Sequence, residues 1–312
     1  MSTERPSPRF SDIDTWESED IAESIIESQF AAVAAVHAVR REIAAAALAI
    51  QSRLGDHGRV VYAGAGTSGR LAVQDGAELV PTFGWPEERL VLLMAGGREA
   101  LLRSVEGAED DFEQAIKLID QHAITTQDVL IAVAASGTTP FTLACLREAK
   151  RRGALTVGIA NNRASPILQE ADHPICLDTG SEPIAGSTRL NAGTAQKITL
   201  NTLSSVLMIL HGKVYRGLMV DVRALNKKLV RRSEDMLILL TGSSPDHVRD
   251  ALLLAKGRVK IAALLLNGCD LDTAAQLLRA AGDHLGKALT LASKARVPKT
   301  AGKTPGLHPS SR

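Results

Sequence analysis

Between residues 59 and 177 five short, largely apolar runs alternate with helical stretches. They are Arg59-Val60-Val61-Tyr62-Ala63, Leu90-Val91-Leu92-Leu93-Met94, Val129-Leu130-Ile131-Ala132-Val133, Leu155-Thr156-Val157-Gly158-Ile159 and His173-Pro174-Ile175-Cys176-Leu177. They lack the polar/apolar alternation of a strand with one wet face, so both faces must be covered. Strands of this kind, spaced by helices such as Pro140 to Arg152, predict an α/β fold with a buried parallel sheet flanked by helices. Ligands of such sheets sit beyond the carboxyl ends of the strands. Function is therefore to be sought in the residues that directly follow each run.

The flanking sequence has a different character. Residues 1–15 are polar and contain proline, which predicts an extended arm over the surface. From about Glu17 to Arg53 apolar residues recur at helical spacing without Gly or Pro, predicting one or two long helices. A further helix is expected from Asn191 to Tyr215, and a linker around Val220 to Ser233. Residues 234–292 carry only helical signals, broken at Gly242-Ser243-Ser244-Pro245, Gly257, Asn267-Gly268 and Gly282, which predicts three or four short helices. The expected organisation is an N-terminal arm with helices over 1–55, a main domain over 56–233, a small helical domain over 234–295 and a disordered basic tail over 296–312.

Composition narrows the function. A net charge of +1 exerts no global pull on nucleic acid or anionic membrane, and 3% aromatic residues disfavour a base-stacking surface. Cys145, Cys176 and Cys269 form no CxxC pair, and the eight histidines show no ligand spacing, so neither a metal nor a redox cofactor is expected. The first 20 residues have no apolar stretch and no run is long enough to span a bilayer, so a cytoplasmic location is expected.

The chemistry-bearing residues follow the strands. Gly64-Ala65-Gly66-Thr67-Ser68-Gly69 runs from a strand into a helix, the context of a nucleotide fingerprint. The next strand ends in Met94-Ala95-Gly96-Gly97, without the acid a ribose would need. Arg70 stands directly after Gly69, so the Walker lysine is also missing. Thr67 and Ser68 instead bring hydroxyls to a helix start, where free amides and the dipole favour an anion; the alternative is a tight turn with Ser as a cap. The strand through Val133 ends in Ala134-Ala135-Ser136-Gly137-Thr138-Thr139-Pro140, which repeats the arrangement. Two such loops in one sheet suit a sugar monophosphate. Gly186-Ser187-Thr188-Arg189 could close the same pocket, or serve as a helix cap through Ser187 or Thr188. Glu78, about two turns beyond Gly69, and Glu109 are candidate acid/base groups, although Asp75, Glu106, Asp110 and Asp111 offer the same chemistry nearby.

Three blocks carry a resemblance: Gly64–Gly84 ending in Pro81-Thr82-Phe83-Gly84, Val105-Glu106-Gly107-Ala108-Glu109-Asp110-Asp111, and Gly186-Ser187-Thr188-Arg189 through Lys197, continued by Gly212-Lys213-Val214-Tyr215 and Leu218-Met219-Val220-Asp221-Val222. Over roughly residues 5–292 the chain resembles the N-acetylmuramic acid 6-phosphate etherases, relatives of the glucokinase regulatory protein. The resemblance implies a sugar-isomerase (SIS) domain followed by a small helical domain. It also implies cleavage of the D-lactyl ether of N-acetylmuramic acid 6-phosphate, without a cofactor, in a homodimer. By the same resemblance Glu78 protonates the departing lactyl oxygen and Glu109 removes the C2 proton. Thr67, Ser68, Gly69, Ser136, Gly137, Thr138, Thr139 and Ser187 bind the substrate. An acid in that role calls for burial beside a second carboxylate. The chain departs from the family at Ala77, where a Ser is common, and at Asn191, where a Lys is common. A non-catalytic sugar-phosphate regulator of the same fold is the alternative, but it would need no paired acid and base; an aldose–ketose isomerase would leave the Gly-Ser-Thr-Arg block unexplained.

Overall fold

In a computed structural model describing residues 3–221 and 227–296, the chain divides into two compact units, Met1–His211 and Gly212–Arg312. The first unit begins with single 3-10 turns at Pro8–Phe10 and Ile13–Thr15, then α1 (Ser18–Ala38) and α2 (Arg40–Leu54). There follow β1 (Val60–Gly64), α3 (Gly66–Phe83), β2 (Leu90–Met94), α4 (Phe112–Gln121), β3 (Val129–Val133), α5 (Pro140–Arg151), β4 (Leu155–Ala160), α6 (Pro166–Glu170), β5 (His173–Cys176) and α7 (Asn191–Leu210).

The five strands form one parallel sheet in the order β2-β1-β3-β4-β5. Successive residues of a strand feed opposite cores, as the period of two requires. Val60, Tyr62, Val129 and Ile131 pack with α2, α3 and α7 through Ile50, Leu79 and Leu203. Val61, Ala63, Leu130 and Ala132 pack with α4, α5 and α6 through Ile119, Phe141, Leu146 and Ile167. Tertiary burial explains why these strands read as unbroken apolar runs. From β1 the chain crosses to β2 on one side, and from β3 it moves to β4 and β5 on the other. The direction of winding reverses between the adjacent strands β1 and β3, so the crevice beyond their carboxyl ends is the topological switch point.

The second unit contains the hairpin β6 (Val214–Tyr215) and β7 (Leu218–Met219), then α8 (Lys227–Thr241), α9 (Pro245–Leu254), α10 (Val259–Leu266), α11 (Leu271–Ala280) and α12 (Leu285–Arg296). Leu237, Val248, Ile261, Leu264, Leu278 and Leu285 form its core. Among them the nearly buried Lys260 binds Asp283 (2.5 Å) and Asp221 (3.1 Å), so its charge is paired.

Three expectations are corrected here. The helix expected to reach Tyr215 stops at Leu210, because Arg216 (φ +48°) and Gly217 (φ +76°) turn a two-residue hairpin in which both central residues have positive φ. The stretch expected as linker is helical from Lys227, its basic start having hidden the pattern of Ser233, Met236 and Leu237 that faces inward. The arm expected on the surface is anchored at Thr3, which is fully buried. Residues 297–312 of the expected tail lie outside the described residues.

Candidate anion site at the sheet's switch point

β1 delivers the chain into α3 through an unusually close turn. A Cβ on Gly64 would stand 2.8 Å from the Gly69 Cα, and one on Gly69 would stand 2.6 Å from the Gly64 carbonyl oxygen and 2.5 Å from the Met94 sulfur. Those contacts explain the glycines at 64 and 69, while Gly66 takes φ +54°. The residue preceding the helix is Ala65, in an extended conformation and without a side-chain cap. Capping by Ser68 is thereby excluded. The first intrahelical bond runs from Gly69 N to Ala65 O (2.9 Å), so the amides of Gly66, Thr67 and Ser68 precede the helical ladder. Thr67 is partly exposed; Ser68 and Gly69 are buried.

The neighbouring strand repeats the plan. Gly64 is in register with Val133, so the loop after β3 leaves the sheet at the same level as the loop after β1. Gly137 (φ +70°) turns that loop, Ser136 Oγ accepts from Thr138 N (3.1 Å), and Ser136 Oγ lies 3.3 Å from Thr139 Oγ1. α5 then starts at Pro140, again without a side-chain cap. Thr138 is exposed and Ser136 and Thr139 are half-buried, whereas Gly137 is buried against Ser165.

The third helix start behaves differently. The first turn of α7 packs on that of α3, since a Cβ on Gly193 would meet Thr67 Cγ2 at 3.6 Å. Ser187 and Thr188 do not cap it. Its leading amides bind the fully buried Glu182 instead, Asn191 N to Oε2 (2.8 Å) and Ala192 N to Oε1 (2.9 Å). Burial pushes the Glu182 carboxyl above its usual range, against the pull of those two amides. This internal carboxylate already answers the dipole of α7, so the starts of α3 and α5 are the ones left open to an anion. Sequence reasoning missed Glu182; an acid ahead of a helix whose first turn holds none was its faint signal. Replacing Glu182 by Gln should turn an NH₂ group toward a backbone donor and cost about 1–3 kcal/mol for the amide left unsatisfied, a loss that chemical denaturation would measure. Asn191, where the resemblance leads to the expectation of a Lys, is buried, and its Oδ1 accepts from Ser28 Oγ (2.9 Å) and Gln29 Nε2 (2.8 Å) of α1.

The competing acids now separate. Asp75 is buried and accepts from Tyr62 (2.9 Å), Asn201 (2.6 Å) and Ser204 (3.0 Å). Asp111 caps α4 through Gln114 N (2.8 Å). Glu78 is exposed on α3, with Thr82 Oγ1 at 3.5 Å. Glu109 is exposed on the turn Ala108–Asp110, which packs against α5 and, through Ala108, against Gly96 at the end of β2. The expected burial of the acid beside a second carboxylate is thus not met within one chain. Among the described residues no cluster of His, Cys, Asp or Glu is arranged to hold a metal.

A five-stranded parallel sheet with hydroxyl-bearing, uncapped helix starts at its switch point is the architecture of a SIS domain. Residues 42–150 match the glucokinase regulatory protein N-terminal SIS domain, and residues 100–210 match the SIS domain. The chain belongs to the N-acetylmuramic acid 6-phosphate etherase family. It is 49% identical over 283 residues to the N-acetylmuramic acid 6-phosphate etherase of Deinococcus radiodurans, covering 90% of this chain and 93% of that one. It is 45% identical over 293 residues to the enzyme of that name from Streptomyces coelicolor, covering 94% of each.

Proposed function

We propose that the chain cleaves the D-lactyl ether of N-acetylmuramic acid 6-phosphate, giving N-acetylglucosamine 6-phosphate and D-lactate during recycling of cell-wall amino sugars in the cytoplasm. The observation that carries this reading is the pair of open helix starts at one switch point, with Thr67, Ser68, Gly69, Ser136, Gly137, Thr138 and Thr139 around them and Ser187 on the adjoining loop. Free amides, hydroxyls and two helix dipoles suit a monophosphate without a lysine.

An alkyl ether resists direct hydrolysis, but the open-chain sugar offers another route. Its C1 aldehyde acidifies the C2 proton. Glu109, on the turn that packs against α5, takes that proton; the C3–O bond breaks and Glu78 protonates the departing lactyl oxygen. Water then adds its hydroxyl to C3 of the unsaturated aldehyde, and C2 regains a proton. The substrate gains one water in total, and no electrons are exchanged with a cofactor.

The two glutamates act from different chains in this reading. Glu78 lies nine residues beyond Gly69, about 14 Å along the helix at its ordinary rise. That exceeds the distance from the phosphorus to C3 in one hexose phosphate, so Glu78 serves the pocket of a second copy. α1 offers a surface for such a homodimer, because Ile26, Phe30 and Val33 are exposed at 65, 72 and 52% along one helical stripe. Phe30→Asp is expected to convert a dimer to a monomer in light scattering and to lower activity at least tenfold.

The direct test is incubation with N-acetylmuramic acid 6-phosphate in ¹⁸O-labelled water, followed by assay of D-lactate. Label is expected in the C3 hydroxyl of the product and none in lactate. If no lactate appears, the chain is a sugar-phosphate binder and not an enzyme.

A further inference from the structure

The cradle described above is built from amides and hydroxyls. Arg70 is the nearest basic residue in sequence, yet its guanidinium is committed to backbone carbonyls, Nε to Ala100 (2.9 Å) and Nη2 to Arg103 (3.4 Å). A cation reaches the same end of the sheet from elsewhere. The buried Thr3 accepts from Gly186 N through its carbonyl (3.1 Å) and from Asn162 Nδ2 through its hydroxyl (3.3 Å). Asn162 Nδ2 also donates to Ala135 O (2.9 Å), one residue before Ser136. The Glu4 carboxylate lies against Gly186, where a Cβ would approach it to 2.9 Å. The N-terminal segment is therefore fastened to two loops at the carboxyl end of the sheet.

That anchoring holds Arg5 on the wall of a cavity of about 400 Å³, shared with Ser136, Thr138, Asn162, Ser165 and the Arg163–Asp178 pair. The charges in this cavity do not cancel. Arg163 is engaged by Asp178 at 3.0 Å through Nε and 2.9 Å through Nη2, whereas Arg5 makes no hydrogen bond or ion pair with the described residues. The cavity wall also has an unanswered polar group. Ser165 is 4% exposed, and its hydroxyl is buried with no hydrogen-bond partner, in the space a side chain at Gly137 would fill. A buried hydroxyl without a partner is uncommon in a folded protein and calls for an explanation such as a ligand. An uncommitted guanidinium and the hydroxyl-bearing residues Ser136 and Thr138 line one space, with the unpaired Ser165 hydroxyl buried in its wall.

We propose that Arg5 is a substrate-binding residue, carried by the anchored segment Thr3–Arg5 to contact the phosphate ester on the side of the cradle formed by Ser136 and Thr138. The inference deepens the sugar-phosphate reading and rests on it for the identity of the ester. Phosphate is favoured over the lactyl carboxylate by position. The cavity opens on the β4 side of β3 and shares Ser136 and Thr138 with the cradle, while the Glu109 turn packs at the end of β2, on the far side of β1. The end of the substrate remote from C2 and C3 therefore occupies it. A guanidinium also matches phosphate oxygens with two parallel N–H donors, which a lysine could not do.

Calorimetric binding of inorganic phosphate, N-acetylglucosamine 6-phosphate and D-lactate separates the possibilities. Arg5→Met, which keeps the aliphatic stem, is expected to weaken the first two at least tenfold and leave D-lactate binding and thermal stability unchanged; Arg5→Lys should recover part of the loss. Arg9→Ala is the control on the same segment, since Arg9 pairs with Glu27 and does not line the cavity. Unchanged phosphate binding in Arg5→Met overturns the proposal, as does a loss confined to D-lactate, which would assign the cation to the carboxylate. A loss that accompanies a fall in melting temperature and is not recovered by Arg5→Lys would reduce Arg5 to a structural role and also overturn it. Because these ligands bind without turnover, an Arg5-dependent phosphate site in a protein that releases no lactate would refute the etherase reading and leave this one standing.

Discussion

Glu78→Gln is expected to slow lactate release by about 10²–10⁴-fold, the usual contribution of a positioned general acid or base. Its stability should stay within about 0.5 kcal/mol of the parent, because surface substitutions away from packed features rarely do more. Exposure and the long 3.5 Å contact with Thr82 are the grounds for that second expectation. The amide has the size of the carboxyl but cannot give up a proton to the lactyl oxygen. An analogue with a halide at C3, whose leaving group needs no proton, therefore separates the two glutamates. Glu78→Gln should process the halide at close to the parental rate, whereas Glu109→Gln should fail on both substrates. The C2 proton supplies a second readout. In deuterated water Glu78→Gln should still exchange it, and Glu109→Gln should not. If Glu78→Gln released lactate at the parental rate, or the exchange pattern were reversed, the assigned roles would be wrong.

The sheet was legible because its strands are buried on both faces, so each appears as an apolar run of the right length. Positions of the two cradle loops followed from the same property, since residues after a strand in a parallel sheet mark the ligand end. What stayed hidden depended on partners distant in sequence. Thr3 reads as part of a polar arm until Gly186 and Asn162 are seen to hold it. Glu182 looks like any loop acid, and only the fold brings the amides of Asn191 and Ala192 onto its two oxygens. The capping roles open to Ser68 and Ser187 were equally reasonable by local rules, and were displaced by Ala65 and by Glu182. The hairpin at Val214–Met219 was masked because two-residue strands carry too little pattern to interrupt a helical reading. Asp75 and Glu78 could not be told apart by spacing. They stand one helical turn apart, and their difference lies in what faces them.

That difference yields the opposite expectation for Asp75. Its carboxylate joins three elements of the first unit: Tyr62 on β1 donates to Oδ2, while Asn201 and Ser204 on α7 both donate to Oδ1. Burial, with the neighbouring Asp75 charge, pushes the Tyr62 phenol well above its usual range, so it remains a donor. Asp75→Ala removes the common acceptor and strands a buried phenol and a buried hydroxyl together. Hydrogen bonds to a charged group contribute about 1.5–3 kcal/mol each, and with incomplete additivity three of them amount to on the order of 4 kcal/mol. At roughly 2–4 °C per kcal/mol for a unit of this size, the melting temperature should fall by about 10 °C. Asp75→Asn should lose less, because the amide oxygen can still accept from two of the three donors. Below the melting transition, Asp75→Asn should retain turnover within about tenfold of the parent, since Asp75 is buried and engaged by three protein donors. A melting temperature unchanged in Asp75→Ala, or turnover abolished in a folded Asp75→Asn, would move the acid from Glu78 to Asp75. The two carboxylates on α3 thus exchange signatures: one substitution leaves the fold and removes the chemistry, and the other leaves the chemistry and loosens the helix that carries it.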